Sequence, residues 1–243
     1  MSEAAGNPSR HILITGGRGG IGQELTEALA RTGSNRIITL GRSQPPAQDG
    51  PASNVFHEQG SILDSEILPR ILAKHQITHV IHAAGARTHD CAHHPLLGFE
   101  ANVLGTDHVF RAARTCSTVT RVIHFSTAAV YGGNRSFIDE TAPLAPVTPY
   151  AITKAASEMA AIGHGGEASF QTIILRPGFV LGPQSKGTLT TSVRQAMRDS
   201  EVTFTFPEQF HIHWTPDLVH AVERLLEVDL PNQIEVLHLP GQT

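Results

Sequence analysis

Tyr150 and Lys154 stand four residues apart behind Pro149, a spacing that puts both side chains on one face of a helix. A free tyrosine, with a pKa of ~10, is a poor base near neutrality. An adjacent ammonium stabilises the phenolate and lowers that value. The pair can then act as an acid/base tyrosine, giving or taking the proton of a carbonyl or alcohol while a hydride moves. The spacing alone is common by chance. Two further segments add weight: Ser126-Thr127-Ala128-Ala129-Val130-Tyr131-Gly132 and His82-Ala83-Ala84-Gly85 each close a short β-branched run. Ligands of open α/β sheets bind at the carboxyl ends of strands, where the hydroxyls of Ser126 and Thr127 can hold a substrate oxygen beside Tyr150.

A glycine-rich stretch, Thr15-Gly16-Gly17-Arg18-Gly19-Gly20-Ile21-Gly22, joins the first strand candidate to the first helix candidate. Glycines let the backbone turn tightly and approach a pyrophosphate, and the helix N-terminus presents free N–H groups and a positive dipole end. Gly16, Gly19 and Gly22 fit one spacing; Gly16, Gly20 and Gly22 fit another equally well. The second strand runs into Gly41-Arg42-Ser43 with no carboxylate. An acid at this place holds an adenosine ribose, whereas a guanidinium suits a 2′-phosphate. The expectation is NADP(H), with NAD as the alternative; a solvated loop arginine is the plain reading of Arg42.

Positioning these groups requires strands and helices in alternation. Strands are expected at His11–Thr15, Arg36–Leu40, Asn54–His57, Thr78–His82, Arg121–Ser126, Ser169–Leu175, Val202–Phe206 and Ile234–Leu239. Helices are expected at Gly20–Arg31, Asp64–Lys74, one long helix Pro95–Thr115, Thr148–Ile162, Thr188–Ser200 and Pro216–Val228. The alternation predicts an α/β chain built on a doubly wound parallel sheet of Rossmann type. Residues 1–180 are read as the dinucleotide-binding core. Residues 181–243 are read as a small C-terminal substrate-binding lobe, part of which returns to the core.

Composition narrows the class. The chain has 243 residues, of which 40% are hydrophobic and 16% charged, with a formal net charge of −4; that balance excludes a disordered chain. There is no basic tract to suggest nucleic acid and no apolar run near the ~20 residues of a spanning helix. The polar start lacks a signal peptide. Two cysteines, Cys91 and Cys116, make no disulfide scaffold. The expectation is a soluble, cytoplasmic protein with a small-molecule substrate and neither a nucleic-acid nor a membrane partner.

The stretches TGGRGGIG (15–22), HAAG (82–85), NVLGT (102–106), STAAVYG (126–132), PYAITK (149–154) and RPGFVLGP (176–183) together resemble the short-chain dehydrogenase/reductase superfamily. The likeness is strongest to its extended branch, which includes the NAD-dependent epimerase/dehydratase family. The resemblance implies Tyr150 as acid/base, Lys154 as the residue that binds the nicotinamide ribose, and Thr127 as the catalytic hydroxyl beside Ser126. It implies cofactor contacts from Gly16, Arg18, Gly19, Gly20, Ile21, Gly22, Arg42, Ser61, Ile62, Ala83, Ala84, Gly85, Arg87, Asn102, Tyr150, Lys154, Pro177, Gly178 and Val180. Asn102 is equally open to a structural role. Substrate contacts are expected from Ser126, Ala128, His213 and Trp214.

Departures from the family pattern refine the activity. Dehydratases of the family carry an acidic pair after the catalytic Thr, and here Ala128 and Ala129 stand there, against water elimination. The segment after Pro183 is shorter than the family's substrate lobe, so the resemblance implies a reduced lobe that holds sugar nucleotides poorly. The leading expectation is an oxidoreductase acting on a carbonyl or secondary alcohol. A sugar-nucleotide epimerase with tightly held NAD is the alternative, and a non-catalytic dinucleotide sensor is a third reading, disfavoured by Thr127, Tyr150 and Lys154 together. Fifteen histidines, including His89, His93, His94, His211 and His213, are read as polar loop or pocket residues rather than metal ligands. In this superfamily the helix with the Tyr-x-x-x-Lys pair and the long helix before it commonly pair across a two-fold axis. Apolar Leu96, Leu97, Phe99, Val103, Val109 and Phe110 exceed what one sheet-facing side needs, which implies a homodimer.

Overall fold

Five runs of branched aliphatic residues fix the centre of the protein. Ile12–Ile14, Ile37–Ile38, Val80–Ile81, Val122–Ile123 and Ile173–Leu175 are all essentially inaccessible to solvent, as strands covered on both faces require. The computed structural model describes residues 10–43, 53–132, 138–185, 187–198 and 211–239. In chain order the elements are β1 (His11–Thr15), α1 (Gly20–Arg31), β2 (Arg36–Gly41), β3 (Val55–Gln59), α2 (Ile67–His75), β4 (His79–His82), α3 (Thr88–His93), α4 (Pro95–Phe99), α5 (Gly105–Arg114) and β5 (Arg121–Phe125). They continue with α6 (Pro149–Gly165), β6 (Gln171–Arg176), β7 (Phe179–Leu181), α7 (Thr188–Ala196), β8 (Ile212–Trp214), α8 (Thr215–Leu225) and β9 (Ile234–His238).

Seven strands form one sheet in the order β3-β2-β1-β4-β5-β6-β9, and every pairing is parallel. This is the doubly wound order with one strand added at the far edge. Successive strand residues point to opposite faces, so two cores form. Leu13, Ile38 and Val80 meet Ile67, Leu68 and Ile71 of α2 and Val109 and Phe110 of α5 on one side. Ile12, Ile14 and Ile37 meet Leu25 and Leu29 of α1 and Leu218 and Val222 of α8 on the other. Segments after residue 181 divide: β9 joins the main sheet beside β6, while β8 pairs with β7 in a separate two-stranded sheet.

Several expectations change. The long helix is broken: α4 and α5 are separated by a π-helical turn, Glu100–Leu104, and α3 precedes them. A turn with one extra residue leaves the apolar periodicity almost intact, so the sequence reads as continuous helix. Val109 and Phe110 are core residues at 2% and 0% exposure, not surplus apolar surface. Helix α2 starts at Ile67 and accepts Pro69 in its first turn, where the missing N–H has no intrahelical partner to lose. The short parallel strands β7 and β8 escape three-residue pattern reading. The strand expected at Val202–Phe206 lies outside the described residues. Among the described residues no helix is long and apolar enough to cross a membrane.

The sheet carries unusual polar cargo. His82 on β4 and His124 on β5 stack at 5.2 Å in its interior, and burial pulls His82 down to about 3 and His124 well below the ordinary value of 6.5, with Lys154 adding to both. His213 on β8 is drawn to about 4, first by burial and then by His238 and His211. All three are neutral in the folded chain and take up protons only on unfolding. Stability therefore falls as pH drops below 6.5, by up to about 2 kcal/mol for each such imidazole by about pH 5. The urea midpoint is expected to fall steeply between about pH 7 and pH 5; a flat midpoint over that range would refute the buried neutral histidines.

Candidate active site

The glycine loop between β1 and α1 packs too closely for side chains at three places, among them Gly17, where a Cβ would lie 2.6 Å from the Thr39 side chain. Gly16 has φ +70°, and a Cβ there would sit 2.8 Å from the Ala84 backbone. A Cβ on Gly22 would collide with the Gly16 carbonyl and approach the Gly17 Cα at 2.9 Å. Gly19 is the N-cap of α1 and has no side chain to cap it, so the first-turn N–H groups face the loop opening, as an anion site requires. Gly16, Gly17 and Gly22 are held by close packing, Gly19 caps α1, and Gly20 and Ile21 open the helix. The cradle fits a dinucleotide pyrophosphate. Around it, Ala83 N donates to Thr15 O (3.2 Å) and Ala84 N to Thr15 Oγ1 (3.3 Å), which seats the Ala83-Ala84-Gly85 loop against the glycine loop.

At the ends of β2 and β3 the chain is basic. Arg42 is exposed, and Arg18 reaches from the glycine loop to Ser43 O at 3.5 Å. His57 contacts Thr39 Oγ1 through Nδ1 at 2.5 Å, and its pKa is lowered by burial and then by the Arg18 charge. Nothing in the sequence marks His57 as part of this corner, because an isolated strand histidine carries no motif. Ser61 Oγ accepts from Leu63 N (3.2 Å), and Ile62 is a core side chain pressed on Gly105 of α5. The adenine-side expectation for Ile62 therefore reduces to its backbone.

Thr127, Tyr150 and Lys154 come together at the C-terminal edge. Thr127 caps the short 3-10 turn Ala128–Tyr131, accepting from Ala129 N at 3.2 Å. Thr148 caps α6 by accepting from Ala151 N at 3.2 Å, and Pro149 takes the first helical position, where its fixed φ favours the helix. Burial pushes the Tyr150 phenol up to about 12; Cys91 adds to the rise, and a hydrogen bond with Thr127 opposes it. Burial pulls Lys154 down to about 8, with Glu158 and Cys91 acting in the other direction. Lys154 is not among the groups acting on Tyr150, so the expected lowering of the tyrosine by its ammonium is corrected. In this fold burial outweighs the pair.

Asn102 sits in the π-helical turn, and the protein itself engages its amide. Ala86 N donates to Asn102 Oδ1 (2.7 Å), and Asn102 Nδ2 donates to Thr153 Oγ1 (2.9 Å) and Ala86 O (3.3 Å). That ties the loop after β4 to α6. Behind it, Thr106 Oγ1 donates to Asn102 O (2.6 Å), so it accepts from His82 Nε2 (3.0 Å) and leaves Nδ1 to accept from Thr15 Oγ1 (2.7 Å). One hydrogen-bonded line thus runs from the glycine loop to the helix of Tyr150.

A buried ion pair, missed in the sequence, closes the other side. Arg176 Nε and Nη2 bind the two oxygens of Glu158 at 3.0 and 2.6 Å, with exposures of 4% and 0%. Ser126 Oγ donates to Glu158 Oε1, so its hydroxyl is turned into the protein and away from substrate, correcting that expectation. Arg176 Nη1 donates to the Tyr131 hydroxyl at 2.6 Å. The RPG stretch holds the arginine, but its partner is a helical glutamate, which in sequence looks like a solvated face.

The remaining candidates fall as follows. Ala128 N donates to Pro177 O (2.8 Å), joining the turn after β5 to the segment after β6. A Cβ on Gly178 would lie 2.5 Å from His211 O. Val180 packs on the α1–α8 core and is in register with His213. His213 is buried at 5% exposure, whereas Trp214 is 46% exposed. Arg87 is exposed at the start of α3 and binds Asp90 (3.1 Å).

Residues 12–229 match the profile of the NAD dependent epimerase/dehydratase family. The chain is 34% identical over 177 residues to 4-hydroxy-2-methyl-3-oxo-4-farnesyl-3,4-dihydroquinoline-1-oxide ketoreductase of Stigmatella aurantiaca, covering 70% of this chain and 50% of the relative. It is 35% identical over 149 residues to UDP-glucose 4-epimerase of Halalkalibacterium halodurans, covering 60% and 44%. Among solved structures, Thermus thermophilus UDP-glucose 4-epimerase in complex with NAD superposes with a TM-score of 0.81 at 26% identity, over 95% of this chain and 77% of that one. The chain spans about half the length of these curated relatives. The cradle, the strand-edge hydroxyls and these likenesses agree, and the chain belongs to the NAD-dependent epimerase/dehydratase family of extended short-chain dehydrogenases/reductases.

Proposed function

We propose that the protein is a nicotinamide-dependent oxidoreductase that reduces a carbonyl group, or oxidises the matching secondary alcohol, with Tyr150 as the acid/base. The observation that carries this reading is the placement of Thr127, at the turn after β5, with its hydroxyl acting on the Tyr150 phenol, and of Lys154 one helical turn further along α6. When bound, the reduced nicotinamide supplies the hydride to the carbonyl carbon. Thr127 holds the carbonyl oxygen, Tyr150 gives that oxygen its proton, and Lys154 positions the ribose. Burial leaves the phenol with a proton to give, while moving its pKa further from the operating pH. Ala128 and Ala129 offer no acid to a leaving hydroxyl, which favours reduction over dehydration. The relation to the Stigmatella ketoreductase supports a keto substrate. The epimerase relatives support the second reading, transient oxidation with retained NAD and no net consumption.

Arg42, with Arg18 and His57 close by, favours the 2′-phosphate of NADP(H), whereas the Thermus relative carries NAD. We also read 1–180 as the dinucleotide-binding part and 181–243 as the part that shapes the substrate side. The face of α4 and α6 supports a homodimer: Leu96, Phe99, Ile152 and Met159 are 71%, 46%, 52% and 58% exposed, an apolar surface that single exposed residues would not make.

Three outcomes are expected. Tyr150→Phe should cut turnover of the best carbonyl substrate by roughly 10²–10⁴ while cofactor binding, read by nucleotide fluorescence, persists; near wild-type turnover would remove Tyr150 from the chemistry. Arg42→Ala should weaken NADPH at least about tenfold more than NADH, the scale of one lost charge-assisted contact; equal weakening would favour NAD. Light scattering should give a dimer at micromolar concentration, and Leu96→Glu with Phe99→Glu a monomer; a monomeric wild type would exclude the four-helix contact.

A further inference from the structure

Glu158 has no place in the steps above, yet it is fully buried and three donors converge on its carboxylate: Arg176 Nε, Arg176 Nη2 and Ser126 Oγ. We propose that Glu158 is a positioning residue, whose buried carboxylate anchors the Ser126–Thr127 turn to helix α6 and keeps Lys154 charged. The proposal rests on the reading of Thr127, Tyr150 and Lys154 as the catalytic group.

Two geometric facts support it. Ser126 is bonded through its side chain to Glu158 and through its N–H to Leu175 O (2.7 Å), so the residue next to Thr127 is held from α6 and from β6 at once. Glu158 also lies four residues after Lys154, on the same face of α6. The titratable and charged groups around Lys154 come from every neighbouring element: Tyr150 and Glu158 on α6, Cys91 on α3, His82 on β4 and His124 on β5, with Arg176 of β6 behind Glu158. Burial keeps both imidazoles neutral and raises the Tyr150 phenol and the Cys91 thiol. Among the described residues, Glu158 is then the anionic partner facing Lys154. Burial alone would carry the amine further down, and the carboxylate opposes that. Arg176 fixes where the carboxylate sits. Its other contacts, to the Tyr131 hydroxyl (2.6 Å) and Glu140 O (3.4 Å), extend the same anchor to the end of the 3-10 turn.

The composition makes the test direct, because the chain contains three lysines, Lys74, Lys154 and Lys186. Lysine labelled with ¹³C at Cε gives three resonances, assigned with Lys74→Arg and Lys186→Arg. In the wild type the Lys154 signal should titrate near 8. In Glu158→Gln its midpoint should fall by about one pH unit or more. If removing one partner of the buried pair prevents folding, Glu158→Gln with Arg176→Gln leaves no orphan charge and should show the same downward shift. A Lys154 midpoint unmoved in either folded variant overturns the electrostatic half. Ser126→Ala should leave that midpoint in place but raise amide exchange over residues 126–131 at least about tenfold, the scale set by losing a hydrogen bond to a charged group. Unchanged exchange overturns the anchoring half. Neither readout uses turnover, so an active Tyr150→Phe enzyme would remove the catalytic reading and leave these results standing on their own.

Discussion

Parallel pairing of strands buried on both faces is the constraint on which the rest depends. Each connection between neighbouring strands must cross over the sheet, and helices on both faces make the crossings. Every strand therefore ends at the same edge, where the chain leaves for the next helix. Thr15, Gly41, His82, Phe125 and Arg176 all close strands at that edge. The glycine loop, the Ala83-Ala84-Gly85 loop, the Thr127 turn and the segment from Pro177 to Val180 thus arrive side by side although up to about 160 residues separate them in sequence. Chemistry is assembled there because no strand can end anywhere else.

The edge loops would still be free to shift against one another without cross-links, and the cross-links are polar. His82, Thr106 and Asn102 tie β1, β4 and the π-helical turn to α6, and Glu158 with Arg176 ties β6 and the turn after β5 to the same helix. Buried polar groups are costly unless satisfied, and a buried ion pair is weak evidence for stability. Their value here is geometric: a bidentate pair has one good arrangement, so it sets register between elements that apolar packing would leave free to slide by fractions of an ångström. The same interior placement makes the fold sensitive to acid, since His82 and His124 cannot be charged where they stand.

Much of this was legible in the sequence, for reasons that are local. β1 and α1 have their expected bounds because an aliphatic run, a glycine turn and an amphipathic stretch follow one another with no competing pattern. The roles of Gly16 and Gly22 follow from the two spacings they share, while Gly19 caps α1 and Gly20 opens it. What was not legible depends on distance in sequence. Glu158 and Arg176 are separated by a strand and a loop, and nothing in either local context marks a partner. Ser126 reads as a substrate hydroxyl because it stands beside Thr127 at a strand end, and only the position of Glu158 shows that it faces inward. The π-helical turn hides inside a helical periodicity that it barely perturbs.

Burial treats the two central side chains oppositely, and this bears on direction. Removing a phenol from water disfavours the phenolate, and removing an ammonium from water disfavours the cation, so Tyr150 rises while Lys154 falls. A tyrosine that must first accept a proton is hindered by such a rise, whereas one that must give a proton to an oxygen gaining a hydride begins in the correct form. Oxidation of an alcohol therefore needs additional positive charge near Tyr150. An oxidised nicotinamide carries such a charge, and a reduced one does not. Lys154 does not act on the phenol in this fold, and on the amine itself burial is opposed by a carboxylate one helical turn away. On the proposed reading, the two side chains are therefore tuned separately: the phenol by burial and by the charge that the nicotinamide brings, the amine by burial and Glu158.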